Sequence, residues 1–79
     1  MDKIQVISIG FDENFEFAIS KINSYARPLQ LYAIEPPQEL MGNHKVLRLH
    51  VRGVKANTTY KVDGPGFIVD KLYEHYSKR

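Results

Sequence analysis

The 79-residue sequence contains no cysteine. Disulfide bonds, thiolate zinc sites and cysteine nucleophiles are therefore excluded together. Because a small secreted domain usually depends on disulfide bonds, the absence of cysteine favours an intracellular protein. The sequence also lacks a long hydrophobic run, since the apolar stretch at residues 4–9 is too short and too interrupted for a signal peptide or a membrane span. We therefore expect a cytoplasmic protein that makes no membrane contact.

Neither sign of charge dominates the composition. Eleven lysines and arginines stand against nine aspartates and glutamates, for a formal net charge of +2. This balance permits nucleic-acid binding without requiring it. With 43% hydrophobic and 25% charged residues, the chain has the composition of a globular protein. Its length allows one core, so residues 1–79 are expected to form a single domain whose net stability is about 3–5 kcal/mol.

The hydrophobic pattern predicts six elements in the order β-α-β-β-β-α. Asp12 is the expected N-cap of the first helix, which ends ahead of Pro28. Gln38 to His44 is expected to be a loop with a helical turn around Leu40, and Asp63 to Gly66 a tight turn before the second helix. The predicted strands cover residues 3–9, 29–35, 46–52 and 58–62.

Both predicted helices carry an apolar stripe that has to be buried. The first stripe is Phe15, Ile19, Ile22 and Ala26, and the second is Val69, Leu72, Tyr73 and Tyr76. One face of the sheet is the only broad apolar surface available to them. We therefore predict an α+β fold, a two-layer sandwich with both helices packed on one face of a small, largely antiparallel sheet. The other sheet face is expected to be open to solvent or to a partner.

The third predicted strand carries the most suggestive pattern in the chain. Arg48, His50 and Arg52 share one side of this strand, in steps of about 6.6 Å, which is close to the phosphate spacing of a nucleic acid strand. The remaining candidates for the same surface are Lys45 and Lys55 at its ends and Tyr32 from the neighbouring strand. An aromatic ring beside cations is how single-stranded nucleic acid is held by stacking and charge.

The same side chains support two other interpretations. Alternating charge is the ordinary solvated face of an antiparallel sheet, where it keeps a protein soluble. Tyrosine and arginine are also enriched in protein interfaces, so a face that combines Gln30, Tyr32, Ile34 and Val46 with these cations is suited to another protein or to a second copy of the chain.

No residue cluster has the spacing of a catalytic or metal site. His44, His50 and His75 are scattered, and no serine lies in a nucleophile elbow or beside a histidine. We therefore expect no catalytic residues, no cofactor and no metal. The sequence favours a non-enzymatic accessory or regulatory module that binds a protein partner or itself, with nucleic-acid binding through the basic strand as the alternative.

Overall fold

A computed structural model describes residues 2–26 and 28–78 of the chain. Two helices and five strands follow one another in the order β-α-β-β-β-β-α. Their bounds are β1 Lys3–Ser8, α1 Phe15–Tyr25, β2 Leu31–Ile34, β3 Gln38–Glu39, β4 His44–Val51, β5 Thr58–Pro65 and α2 Gly66–Ser77. The predicted α+β class is confirmed, and the strand absent from the prediction is the two-residue β3.

The strands form one mixed sheet in the spatial order β1-β5-β4-β2, with β3 paired to β4 beside β2. The β4–β5 hairpin is antiparallel and long, running from His44 opposite Pro65 to Val51 opposite Thr58. β1 adds to the other side of β5 in parallel. Because proline interrupts a strand ladder, Pro36-Pro37 divides the second edge into β2, which pairs with the end of β4, and β3, which pairs with its start.

Both helices cover the same side of this sheet and share one hydrophobic core. The core contains Ala18 and Ile22 from α1 and Ile68, Val69, Leu72 and Tyr76 from α2. From the sheet it contains Ile7 and Ile9, Leu47, Leu49 and Val51, and Tyr60 and Val62. These sheet residues occupy alternate positions of their strands, as a face buried on one side requires. The remaining positions of the strands form the second face, which neither α1 nor α2 covers.

The first helix begins later than the sequence indicated. Its N-cap is Asn14, in place of the predicted Asp12, and the Asn14 side chain accepts a hydrogen bond of 2.8 Å from the backbone N–H of Phe17. Asn and Asp are about equally good caps, so propensity alone does not distinguish the two positions. The intervening residues form a turn in which the Glu13 carboxylate accepts from the N–H of Gly10.

The predicted turn at Asp63 to Gly66 is wrong, because β5 continues to Pro65 and α2 starts at the next residue. The predicted helical turn around Leu40 is also replaced, by β3 and a tight connection to β4. In that connection Gly42 and Asn43 have positive φ angles of 71° and 63°, a combination typical of hairpin turns. The Asn43 carbonyl then accepts from the N–H of Gly66, which ties this turn to the start of α2.

β2 departs from simple alternation. Its register against β4 shifts between Leu31 and Ala33, as in a β-bulge. Leu31 and Ile34 therefore both pack against the core, while Tyr32 and Ala33 are exposed. The expectation that Ile34 shares the outer face with Tyr32 is wrong for this reason. In residues 2–26 and 28–78 no helix combines the length and the apolar character needed to cross a membrane.

Candidate interaction surface

The sheet face opposite the helices is called the open face here. It is built from residues that alternate with the core positions of β1, β4 and β5, and from the outward part of β2. Its members include Ile4, Val6 and Ser8 from β1, Thr59, Lys61 and Asp63 from β5, His44, Val46, Arg48 and His50 from β4, and Tyr32 and Ala33 from β2.

Four of the residues singled out in the sequence come together on or beside this face. Arg48 and His50 lie on β4, and Arg52 follows the strand directly. The Arg52 guanidinium lies 5.1 Å from the centroid of the Tyr32 ring, within cation–π range. The Tyr32 and His50 ring centroids are 6.1 Å apart. The aromatic ring is thus beside the cations, but one of its faces is already covered by Arg52.

His50 is held by two neighbours. Its Nε2 lies 2.6 Å from the Glu35 carboxylate, and its Nδ1 lies 2.9 Å from the Thr59 hydroxyl oxygen. Both ring nitrogens therefore have a partner inside the protein. His50 links β4 to the β2–β3 connection and to β5, and the Glu35 carboxylate places negative charge beside the basic strand.

Lys45 and Lys55 do not join the other candidates. Lys45 has the parity of the core residues Leu47 and Leu49, so its side chain extends to the helix side of the sheet. There its Nζ lies 2.9 Å from both carboxylate oxygens of Asp70 in α2. Lys55 is exposed in the loop between β4 and β5.

Lys61 belongs to the open face, although the sequence reasoning did not select it. It lies directly opposite Arg48 in the β4–β5 ladder. Opposite residues of an antiparallel pair have Cβ atoms about 4.5–5.5 Å apart, and like charges in that position are destabilising. The available signal was the alternation of β5, since Tyr60 and Val62 are inward and Lys61 between them has to point outward.

One end of the open face is apolar. Ile4 and Val6 of β1 are 69% and 53% exposed, although both are large hydrophobic residues. Beside them is a hollow of about 230 Å³ on the same face. The hollow is lined by Val6, Gln38, Leu40, Val46, Arg48, Lys61 and Asp63. Val46 is only 7% exposed, so it forms the floor of the hollow, while Leu40 remains 46% exposed at its wall.

β1 is also a free edge of the sheet. The backbone N–H groups of Lys3 and Ile9 donate toward β5, to the carbonyls of Asn57 and Asp63. In a parallel pair every second residue bonds to the neighbour, so the N–H and C=O groups of Ile4, Val6 and Ser8 point away from β5. Two of these outward carbonyls accept from side chains, that of Ser8 from the Lys21 ammonium at 2.6 Å and that of Val6 from the Gln5 amide at 3.2 Å.

A second apolar region lies where α2 begins. Phe11 and Phe67 are both more than half exposed, and Met41 is almost fully exposed. Phe11 and Phe67 line a hollow of about 470 Å³ that also touches Leu40. Leu40 thereby borders this region as well as the hollow on the open face.

The open face offers apolar and charged side chains for binding. Within residues 2–26 and 28–78, no three histidine, aspartate or glutamate side chains are grouped so that they could hold a metal ion. No protein-family model matches the chain, and no curated protein or solved structure matches it.

Proposed function

We propose that this chain is a cytoplasmic, non-enzymatic accessory or regulatory module that binds another protein, or a second copy of itself, through the open face and the free edge of β1. The observation that carries the proposal is the exposure of Ile4 and Val6 on an edge strand. Exposed apolar side chains beside the outward-pointing backbone N–H groups of an edge strand are the features that a docked strand or a packed surface would cover.

The size of the protein supports the same proposal. A core built from about 80 residues supplies a net stability of only about 3–5 kcal/mol, and binding of a partner to the folded state adds to it. Burial of apolar area contributes roughly 25 cal/mol per Å², so covering Ile4 and Val6 would stabilise the folded chain. Solvent exposure of both residues gives no such benefit.

Nucleic-acid binding is the second candidate, favoured by Arg48, Lys61 and Arg52 on and beside one face with Tyr32. Two features count against it. The Tyr32 ring already stacks with Arg52, and the carboxylates of Glu35 and Asp63 interrupt the basic track that a chain of phosphates would follow. The apolar end with Ile4 and Val6 has no use in holding a phosphate backbone.

The proposal is tested by changing the apolar edge and asking what the protein still binds. We expect the double variant Ile4→Lys with Val6→Lys to lose the proteins that the wild type captures from a native extract, or to lose self-association measured by sedimentation. Lysine on an exposed edge strand opposes strand addition and removes the apolar contact. Val54→Lys is the matched control, because Val54 is a fully exposed apolar residue in the β4–β5 loop.

Two results would contradict this function. One is a wild-type protein that stays monomeric and captures the same proteins as the double variant. The other is a mobility shift of single-stranded oligonucleotides whose affinity falls steeply with salt and is abolished by Lys61→Gln, since that result would assign the open face to nucleic acid.

A further inference from the structure

Within residues 2–26 and 28–78, neither Arg48 nor Lys61 forms an ion pair with a carboxylate. Arg48 donates to the neutral amide oxygen of Gln38 at 2.8 Å. Other lysines of the chain do pair with carboxylates, Lys21 with Glu13, Lys45 with Asp70 and Lys78 with Glu74. The open face therefore carries two cationic residues at directly opposite positions of the β4–β5 ladder, an arrangement that is unfavourable for like charges.

The hollow with the Val46 floor adjoins this pair, and Arg48 and Lys61 form part of its lining. Its volume of about 230 Å³ is below that of the usual pocket for a drug-sized ligand, which is about 300–1,000 Å³. The apolar side chains of Val6, Leu40 and Val46 are suited to one aliphatic side chain. An aliphatic side chain that fills the hollow therefore brings the neighbouring residues of its own segment close to Arg48 and Lys61.

The distance from the hollow at Val46 to the cations at Arg48 and Lys61 matches the repeat of an extended chain. Val46 and Arg48 are two residues apart on β4, a separation of about 6.6 Å in a strand. Residues i and i+2 of an extended segment are separated by the same distance and point the same way. A segment lying along β4 would therefore bring an aliphatic residue over Val46 and the second residue from it over Arg48 and Lys61.

We propose that the open face binds an extended segment of a partner protein in which an aspartate or glutamate lies two residues from an aliphatic residue. This inference rests on the protein-binding function proposed above and names the chemistry of the partner. The carboxylate lies between Arg48 and Lys61 and removes their repulsion, and the aliphatic side chain fills the hollow over Val46. Charge complementarity selects the acidic residue, and the spacing selects the extended conformation.

The charges of the open face disfavour a second copy of the chain and a nucleic acid as occupants. Face-to-face packing of two copies about a two-fold axis would bring the Arg48–Lys61 pair of one copy toward that of the other. A phosphate chain would extend its charges past the Asp63 carboxylate, which borders the same hollow. One isolated carboxylate flanked by apolar residues meets neither obstacle.

The test uses a labelled synthetic peptide in which valine and glutamate take turns at every second position, with threonine between them. A second peptide replaces each glutamate by glutamine. We expect the glutamate peptide to bind roughly two- to fivefold more tightly than the glutamine peptide, within the range measured for exposed ion pairs. Lys61→Gln should reduce this preference, because only Arg48 then remains beside the carboxylate, and it should leave the affinity for the glutamine peptide unchanged.

Two further variants complete the set. Leu40→Ala should weaken both peptides alike, because it removes the wall of the hollow and no charge. Lys71→Gln, which removes an exposed lysine of α2, should leave both affinities unchanged. Since Lys61→Gln relieves the repulsion with Arg48, this variant should fold at least as stably as the wild type, which thermal unfolding checks.

Equal affinity for the two peptides, absence of binding by both, or a preference that Lys61→Gln leaves undiminished would overturn the inference. An oligonucleotide that competes with the glutamate peptide and binds more tightly would also overturn it, in favour of a polyanion surface. A wild-type dimer that Leu40→Ala dissociates, but that the peptide does not dissociate, would also overturn the inference. That result would assign the open face to a second copy of the chain. The function proposed above fails separately, through the Ile4 and Val6 variant, which retains both cations.

Discussion

Gly64 of β5 lies tightly against Ile9, the residue that follows β1. A Cβ atom added there would lie 2.8 Å from the Cβ of Ile9 and 3.0 Å from its carbonyl oxygen. Neither of these atoms can rotate away, because both are fixed by the backbone. We expect Gly64→Ala to destabilise the protein by about 1–3 kcal/mol, the usual range for an overpacked core, as measured by chemical denaturation.

Gly10→Ala provides the same substitution in a different setting. The atoms nearest to a Cβ at Gly10 are the carboxylate oxygens of Asp12, at 2.9 Å, and Glu13, at 3.4 Å. Side-chain ends of this kind can move, so this variant should remain within about 0.5 kcal/mol of the wild type. Equal stability of the two variants would show that the contact between Gly64 and Ile9 is not tight.

Lys45 and Lys61 show that strand alternation determines on which side of the sheet a single side chain lies. Lys45 lies next to Val46, one position out of step with Arg48, and this parity already assigns it to the helix side of the sheet. Lys61 lies between the core residues Tyr60 and Val62, and the same rule assigns it outward. Both placements follow from the sequence once the strand is known, whereas the ion pair of Lys45 with Asp70 depends on how α2 packs.

At the scale of the element, the start of α1 differs between the sequence prediction and the structure. Asn14 accepts from the Phe17 N–H, so Asn14→Ala should cost about 1 kcal/mol of stability, the typical value of an N-cap. Asp12→Ala, at the position that the sequence favoured, should cost less than about 0.5 kcal/mol, because Asp12 lies before the cap. Thermal and denaturant unfolding of the two variants would measure the difference, and a larger loss for Asp12→Ala would place the helix start there.

The elements themselves were largely predictable, and the pairing of the outer strands was not. Alternation identified β4 and β5, and helical spacing identified both helices, since these signals are local. The bulge that sends Ile34 inward leaves no local trace, because β2 is apolar on both sides. The parallel pairing of β1 with β5 and the short β3 depend on contacts between distant parts of the chain, which no window of sequence contains.

At the scale of the whole molecule, the two edges of the sheet differ. The β2–β3 edge is short and broken, with a bulge near Leu31 and two prolines between the strands. These are the features by which proteins prevent unwanted strand addition. The β1 edge has six residues, no proline and two exposed aliphatic side chains, Ile4 and Val6. This asymmetry is why strand addition is proposed at β1 rather than at the opposite edge.

The free edge of β1 also predicts an alternating pattern of hydrogen exchange. The N–H groups that point to β5 are those of Lys3, Gln5, Ile7 and Ile9, and those that point outward are those of Ile4, Val6 and Ser8. In dilute protein, we expect the inward amides at Gln5 and Ile7 to exchange on the order of a hundredfold more slowly than the outward ones, since they open only with the sheet. Exchange measured by NMR resolves each position.

The same measurement in concentrated protein identifies the occupant of the edge. If a second copy adds to β1, the outward amides of Ile4, Val6 and Ser8 become protected as the concentration rises, because each would then donate across the new strand pair. If the partner is a different protein, their exchange stays fast at every concentration until that partner is added. Slow exchange of all β1 amides in dilute protein would contradict the free edge, and with it the proposal that β1 is the docking strand.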